Sequence, residues 1–580
     1  MASSIRPRIV IGVDFGTTFS AVAWAVGAVN SPEIVHVIRE WPQHAGGKTR
    51  AEKVPTKLRL RPLRNNDPEW GFLIPTDAPN DEVLQWFKLK LDDRPKVAAF
   101  IPENIRDYSG RRIDQAIVDY LSSLGTEVMH TLTDGLSAGI IADYELKYVL
   151  TVPAIWSERA TQRTRSAFQE AMNIRSAVDI TVISEPEAAA ICELQEAETR
   201  IVDEGECIMI LDAGGGTVDL ISYAVRQLHP LIVDEAVAGS GDVCGGATVT
   251  SRFESWLLPK IRDLEFFDDD VLRAAVDSFD TRIKPIVNSA RLASNQRFYV
   301  PVPGLSDNQQ AGISNELLMV SAFDIVSFFQ PCIERIKLLV AEQIAASNVP
   351  ITAIIMVGGF GQRQYLKEEL EQDTLIRERN IKICKSCRAR TAVVQGAVMK
   401  GLYESAPQDS TRIRIGKYKA RKHYGTELTV TYSDLIHSEV FNKRRWDGLN
   451  GCYEVEVMDW FIKKVRRSCL RIANVFKFRN FTVTSKVNHG KPRRLYLIIY
   501  TDETSQVAPL SKTENVRELC AVDADLSLIP ESQMVKRRGT DGFMYFSTDG
   551  EIEIVYRAQT IRFTLIYKGV RYNSVNVDFF

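Results

Sequence analysis

Two short stretches of this chain combine an acid, glycines and hydroxyls in the same order: Asp14-Phe15-Gly16-Thr17-Thr18, and Asp212-Ala213-Gly214-Gly215-Gly216-Thr217 about 200 residues later. Glycine lets backbone N–H groups come close to anionic oxygens, and threonine adds donors, so such turns suit phosphate. An aspartate cannot touch phosphate directly. It makes sense as a ligand, direct or through water, for a Mg²⁺ that bridges phosphate oxygens. Either stretch alone reads by default as no more than a hairpin turn. Two of them at matching places favour phosphate chemistry.

Two further segments could complete such a site. Ile180-Thr181-Val182-Ile183-Ser184-Glu185-Pro186-Glu187 delivers Glu185 at the start of an Ala-rich helix. It reads either as a carboxylate that complements the helix dipole or as one aimed into a cleft to orient a water. Val357-Gly358-Gly359-Phe360-Gly361 ends a β-branched run in a glycine-rich turn, suited to close approach of backbone to a flat ligand.

The elements that must position these groups repeat. Arg8–Val13 and Ala21–Val26 are strands on either side of the first turn, and Cys207–Leu211 and Val218–Tyr223 flank the second. This internal repeat implies two α/β halves facing each other, with phosphates clamped between their hairpins. Tyr148–Ala154 is a further strand ending at Pro153, and Ser157–Met172 has helical spacing.

Composition sets the outer limits. The chain has 580 residues, 45% hydrophobic and 25% charged, with a net charge of −2. That excludes collagen-like, mucin-like and broadly disordered classes, and the length excludes a single small binding module. No window approaches the roughly 18 to 20 apolar residues of a membrane helix, and the run Ile9–Val13 meets Asp14 before a signal-peptide core can form. A cytoplasmic location is expected, with the nucleus as the alternative. Nine cysteines are spread thinly, and Cys384 and Cys387 have CxxC spacing with no second pair, so ordinary reduced thiols are expected. Residues 411–500 carry 20 Lys and Arg against 7 Asp and Glu, a net charge of +13, so the rest sums to −15. A shift of that size predicts a domain boundary near residue 405, at the polar stretch Glu404–Ser410.

In this order the motifs resemble the ATPase domain of the heat-shock 70-kDa chaperone family, within the actin, hexokinase and chaperone superfamily. The matching segments are Ile11–Thr18, Thr151–Ala154, Ser184–Ala190, Leu211–Asp219, Gly245-Gly246 and Val357–Gly359. The resemblance implies an α/β fold: a duplicated actin-like (ribonuclease H-like) two-lobe ATPase domain over 1–405, with repeats of about 1–200 and 201–405. It also implies ATP/ADP and Mg as cofactors. Gly16, Thr17, Thr18 and Gly214, Gly215, Gly216 and Thr217 would then hold the β and γ phosphates, with Asp14 and Asp212 facing the metal and Asp219 supporting the second loop. Glu185 would position the attacking water. A lysine on Trp86–Leu91 would stabilise the transferred phosphoryl group, and Lys88 is the choice; Lys90 sits two residues away, and a charged helix face is the usual explanation of such a pair. Gly245, Gly246, Lys284, Gly358, Gly359 and Phe360 would border the adenosine. Here Asp280 lies four residues before Lys284, where the family has an acid three before, and Phe360 replaces a small polar residue. An adenine would stack against that ring or be restricted by it.

Residues 406–580 alternate apolar and polar residues, as in Leu495–Tyr500, Glu551–Tyr556 and Thr560–Tyr567, with turn signals at Asn488-His489-Gly490 and Asp549-Gly550. A mostly-β sandwich or meander is expected, similar at the level of fold to the chaperones' peptide-binding domain. The family's Leu- and Val-rich linker is replaced by Tyr403–Ser410. The sequence stops at Phe580 directly after a strand, so a lid-less branch without peptide trapping by lid closure is expected. Basic clusters at Arg412–Lys422, Lys443–Arg445 and Lys463–Arg467 suggest nucleic acid or an anionic membrane, against the plainer readings of strand-edge protection or docking onto the acidic part. The plainer readings are preferred.

These features together point to an ATP-binding, weakly hydrolysing chaperone-like protein, with ATP and an unfolded polypeptide client as partners and a co-chaperone or exchange factor beside them. An ATP-gated scaffold with little turnover is the alternative. A small-molecule kinase of the same superfamily is the third, and it leaves the β domain without a role.

Overall fold

The computed structural model describes residues 8–27, 34–59, 68–92, 110–174, 180–196, 203–405, 413–464, 470–471, 474–477, 481–557, 560–572 and 575–579. The chain falls into two compact units, Met1–Arg414 and Ile415–Phe580.

The first unit holds two sheets of the same design. Strands β1 (Arg8–Asp14) and β2 (Phe19–Gly27) form an antiparallel hairpin, and β1 also pairs in parallel with β4 (Glu145–Val152). β5 (Ile180–Ser184) and β3 (His36–Val37) complete the order β5-β4-β1-β2-β3. In the second sheet β6 (Cys207–Ala213) and β7 (Val218–Gln227) make the hairpin. β9 (Ile351–Val357) and β10 (Lys382–Lys385) pair in parallel on one side and β8 (Ile232–Asp242) pairs antiparallel on the other, giving β10-β9-β6-β7-β8 within this unit. β1 and β6 occupy the central place in the two sheets, and their β-branched runs are buried throughout because both faces are covered.

Each sheet has its own core. Ile9, Ile11, Val13 and Leu150 pack with Tyr120 and Leu124 of α1 (Gly110–Leu136) and Phe168 of α2 (Glu158–Ala171). Met209, Leu211 and Met356 pack with Phe253 of α4 (Gly246–Ile261) and Phe329 and Ile336 of α6 (Ala322–Ala346). Helix α2 begins where its capping residue predicts, with Ser157 accepting a hydrogen bond from the Ala160 amide at 3.1 Å. Helices α3 (Glu185–Glu196) and α7 (Ala392–Ser405) cross very closely: a Cβ on Gly396 would lie 1.7 Å from the Ala188 carbonyl oxygen. α7 continues through Tyr403 to Ser405, and Ala406–Ser410 lies outside the described residues. No helix is long and apolar enough to cross a membrane among the described residues.

The second unit is mostly strand. β11 (His423–Thr431), β12 (Arg445–Asp447), β13 (Cys452–Ile462), β14 (Arg494–Asp502), β15 (Arg517–Asp525) and β19 (Val575–Phe579) form one antiparallel sheet, ordered β12-β13-β11-β14-β15-β19. A second sheet contains β16 (Met544–Arg557), β17 (Thr560–Tyr567) and β18 (Val570–Tyr572). One apolar cluster draws on both, including Tyr424, Ile499 and Val522 from the first and Ile552, Ile554 and Leu565 from the second.

One sequence expectation is corrected here. Asp549-Gly550 is not a turn but sits inside β16. Tyr545–Gly550 pairs with Phe481–Lys486, and Glu551–Arg557 pairs with β17, so the strand changes partner at this dipeptide without reversing. Asn488-His489-Gly490 does turn, with Gly490 at φ 84°.

Candidate functional site

The β1–β2 and β6–β7 hairpins bring their turns together. In the second turn the Gly214 amide donates to the Thr217 carbonyl at 3.0 Å, which closes the loop. A Cβ on Gly215 would lie 2.1 Å from Thr18 Oγ1, and one on Gly216 would lie 2.7 Å from Thr17 Oγ1. The glycines are therefore needed for the two turns to abut. The start of α4 forms a third side, with the Gly245, Gly246 and Ala247 amides donating to the carbonyls of Gly216 (3.1 Å), Gly214 (3.0 Å) and Gly215 (2.8 Å). The loop after β9 forms a fourth, where Phe360 and Gly361 both donate to the Ala213 carbonyl at 2.8 and 3.0 Å. Gly358 there has φ +81°, a conformation that favours glycine.

Buried charges gather at the ends of the central strands. Asp14 closes β1, with its Oδ1 accepting from Thr151 Oγ1 at 3.3 Å and its Oδ2 from Lys53 Nζ at 2.8 Å. Asp212 is 6% exposed, and among the described residues its carboxylate accepts no hydrogen bond. Burial, then the neighbouring Glu185, Asp219 and Asp14 charges, push it well above the usual carboxylate range, while Lys53 opposes them. Asp219 is 1% exposed and accepts from the Ile155 amide at 3.1 Å; burial and Glu185 raise it to about 7. A buried carboxylate without a donor is costly unless a cation joins it. Asp14 and Asp212 offer the hard oxygen donors that a small divalent cation takes, so the residues present fit one.

Lys88, rather than Lys90, is the lysine the fold buries here. It is 1% exposed, donates to Glu185 Oε1 at 2.7 Å, and lies 5.0 Å from the Trp156 ring centroid and 5.7 Å from that of Phe15. Its five-residue 3-10 turn, Phe87–Leu91, starts after Trp86, which is held at φ 63°. Glu185 is raised by burial against the lowering effect of Lys88.

The residues expected around adenosine divide. Lys284 is buried beside α4 and donates to Asp280, to Thr250 Oγ1 at 2.9 Å and to the Gly246 carbonyl at 3.1 Å. Phe279–Ile283 is a π-helical turn, which takes up one extra residue, and Asp280 reaches Lys284 across it. Phe360 does not present its ring as expected. It is 2% exposed and packs 6.3 Å from Phe329, with Gly246 against its Cβ, so it belongs to the core below the loop and no ring face is open to a base.

Sequence reasoning gave no role to Lys53, Trp156 or the Ile155 amide, nor to Thr151, although the segment Thr151–Ala154 carries part of the resemblance. Lys53 has no motif around it and meets Asp14 from 39 positions away in the chain.

No protein-family model matches the chain. It is 26% identical over 325 residues to heat shock 70 kDa protein 12A of Mus musculus, covering 45% of this chain and 46% of that protein. It is 26% identical over 407 residues to chaperone protein DnaK of Mycoplasma mycoides, covering 68% of this chain and 59% of the relative. Heat shock 70 kDa protein 12B of Homo sapiens is 23% identical over 479 residues, 68% of each chain. The alignment thus spans about half the length of the 12A relative. These matches, at 23–26% identity, support a divergent relationship of this chain to the heat-shock 70-kDa chaperone family.

Proposed function

We propose that residues 1–414 bind ATP with Mg²⁺ between the two hairpin turns and hydrolyse it slowly, as two actin-like lobes closing on the nucleotide. Nucleotide state would alter what the β-rich unit binds, an unfolded polypeptide being the expected client. The observation that carries this reading is the convergence of Thr17–Thr18 and Gly214–Thr217 on one another, with Asp14 and Asp212 at equivalent strand ends.

Phosphoryl transfer to water asks a protein mainly for position and charge. The turn amides and threonine hydroxyls would hold the phosphate oxygens. The metal, when bound, neutralises phosphate charge, and Asp14 and Asp212 would hold it. Lys88 offers an ammonium fixed by Glu185 and two aromatic faces, and Glu185 offers an acceptor for a water proton. The Lys88–Glu185 pair also favours a second reading, since each group already occupies the other: ATP binding with little turnover, as in a nucleotide-gated scaffold.

Single-turnover hydrolysis of Mg-ATP separates the two. Lys88→Ala and Glu185→Gln should slow wild-type turnover by about 10²-fold or more while ATP still binds. Wild type no faster than Lys88→Ala leaves only the scaffold. Failure of wild type to bind ATP defeats both.

A further inference from the structure

The cluster contains a cation that the family's phosphate motifs do not account for. Lys53 Nζ lies 2.8 Å from Asp14 Oδ2, and its side chain is 18% exposed against 1% for Lys88. The segment that carries it is fastened to the first turn. Val54 and Pro55 pair with Ser20 and Phe19. The Thr56 amide donates to the Thr18 carbonyl at 2.9 Å, and Thr56 Oγ1 donates to the Gly16 carbonyl at 2.9 Å. The ammonium is thereby tethered beside the proposed phosphate turn.

Counting charges shows what it does there. Asp14, Asp212, Glu185 and Asp219 are buried acids, and Lys88 and Lys53 are the ammonium groups set against them. Lys88 is paired with Glu185, whereas Lys53 is paired with Asp14 itself, so Lys53 is the group placed to reduce the repulsion between Asp14 and an incoming polyphosphate. We infer that Lys53 is a built-in counter-cation which takes over part of the charge neutralisation otherwise left to the divalent ion, so that nucleotide binding tolerates loss of metal. This rests on the nucleotide reading above.

The test is calorimetric titration of the full chain with ATP, in Mg²⁺ and in EDTA, for wild type, Lys53→Met and Lys53→Arg. Methionine keeps much of the apolar stem and removes the charge, and arginine keeps the charge. Lys53→Met should lose about tenfold or more in metal-free affinity and less than about threefold in Mg²⁺, and Lys53→Arg should stay within about threefold of wild type in both. An equal loss in both media for Lys53→Met, or no loss in either, overturns the inference while leaving the nucleotide site standing. Absence of wild-type binding in both media overturns the nucleotide reading and this inference with it. An unchanged thermal unfolding temperature for Lys53→Met without ligand shows that charge, not folding, is read.

Discussion

Asp219 accepts a hydrogen bond from the Ile155 amide and is held near pKa 7 chiefly by burial. Its folded pKa is raised from the model-compound value of 3.8, so the fold favours the protonated form. Its contribution to stability is therefore complete below about pH 4 and is lost as pH rises through about 7. Asp219→Asn keeps the shape and an acceptor for the amide without the charge. The unfolding temperature of the variant should match wild type near pH 3 and exceed it at pH 8, the gain being at most about 4 kcal/mol. A difference that stays constant between those pH values defeats the assignment. The residue scale also shows what the sequence could reveal. The two Asp-Gly-Thr turns were legible because their chemistry is contained within six neighbouring residues. Lys53 was not, because only the β2 register and Thr56 bring it to Asp14. For Phe360 the choice between stacking an adenine and restricting it was not legible for a related reason: a position in a loop does not say which way a ring turns, and here the ring packs into the core against Phe329.

Elements place these residues through close backbone approach. Glu185 heads α3, and α3 is set by its crossing with α7, where a Cβ on Gly396 would sit 1.7 Å from the Ala188 carbonyl. The obstacle is backbone, so nothing can rotate aside, and Gly396→Ala must push the helices apart. The expected cost is about 1 to 3 kcal/mol, read as a lower midpoint in urea, with slower ATP turnover as Glu185 shifts. Gly359→Ala is the contrast. Nothing lies within 4 Å of its Cβ, so it should leave the midpoint within about 0.5 kcal/mol. Equal effects would mean that the α3–α7 crossing does not set the position. Strand-turn-strand grammar made both hairpins readable from sequence, and Ser157 marked the start of α2. The π-helical turn at Phe279–Ile283 left only one trace in the sequence, the Asp280–Lys284 spacing that is one residue longer than the family's. Asp549-Gly550 misled because a strand that changes partners uses the same residues as one that turns.

Over the whole molecule, the +13 segment predicted by composition lies largely in the unit Ile415–Phe580, where part of its charge is answered locally. Lys422 meets Glu503 at 2.7 Å, Arg445 meets Glu456 at 2.5 Å, and Arg494 meets Asp523 at 3.0 Å. Arg444 lies 4.7 Å from the Tyr453 ring centroid. Arg412, Arg466 and Arg467 lie outside the described residues. Exposed pairs of this kind contribute little to stability, so the unit must rest on its apolar cluster from Tyr424 to Tyr567. The first unit has separate cores around each of its sheets. Units with their own cores are expected to unfold as separate cooperative transitions. Scanning calorimetry of the full chain should then resolve two, and saturating Mg-ATP should raise the one belonging to residues 1–414. At a ligand concentration of about 100 times Kd the gain is about 2.7 kcal/mol. If nucleotide state also governs the β-rich unit, the second transition must move when ATP is exchanged for ADP. Two transitions with the second unmoved leave a nucleotide-binding protein whose β-rich unit acts independently, and a single transition shows that the units do not unfold separately.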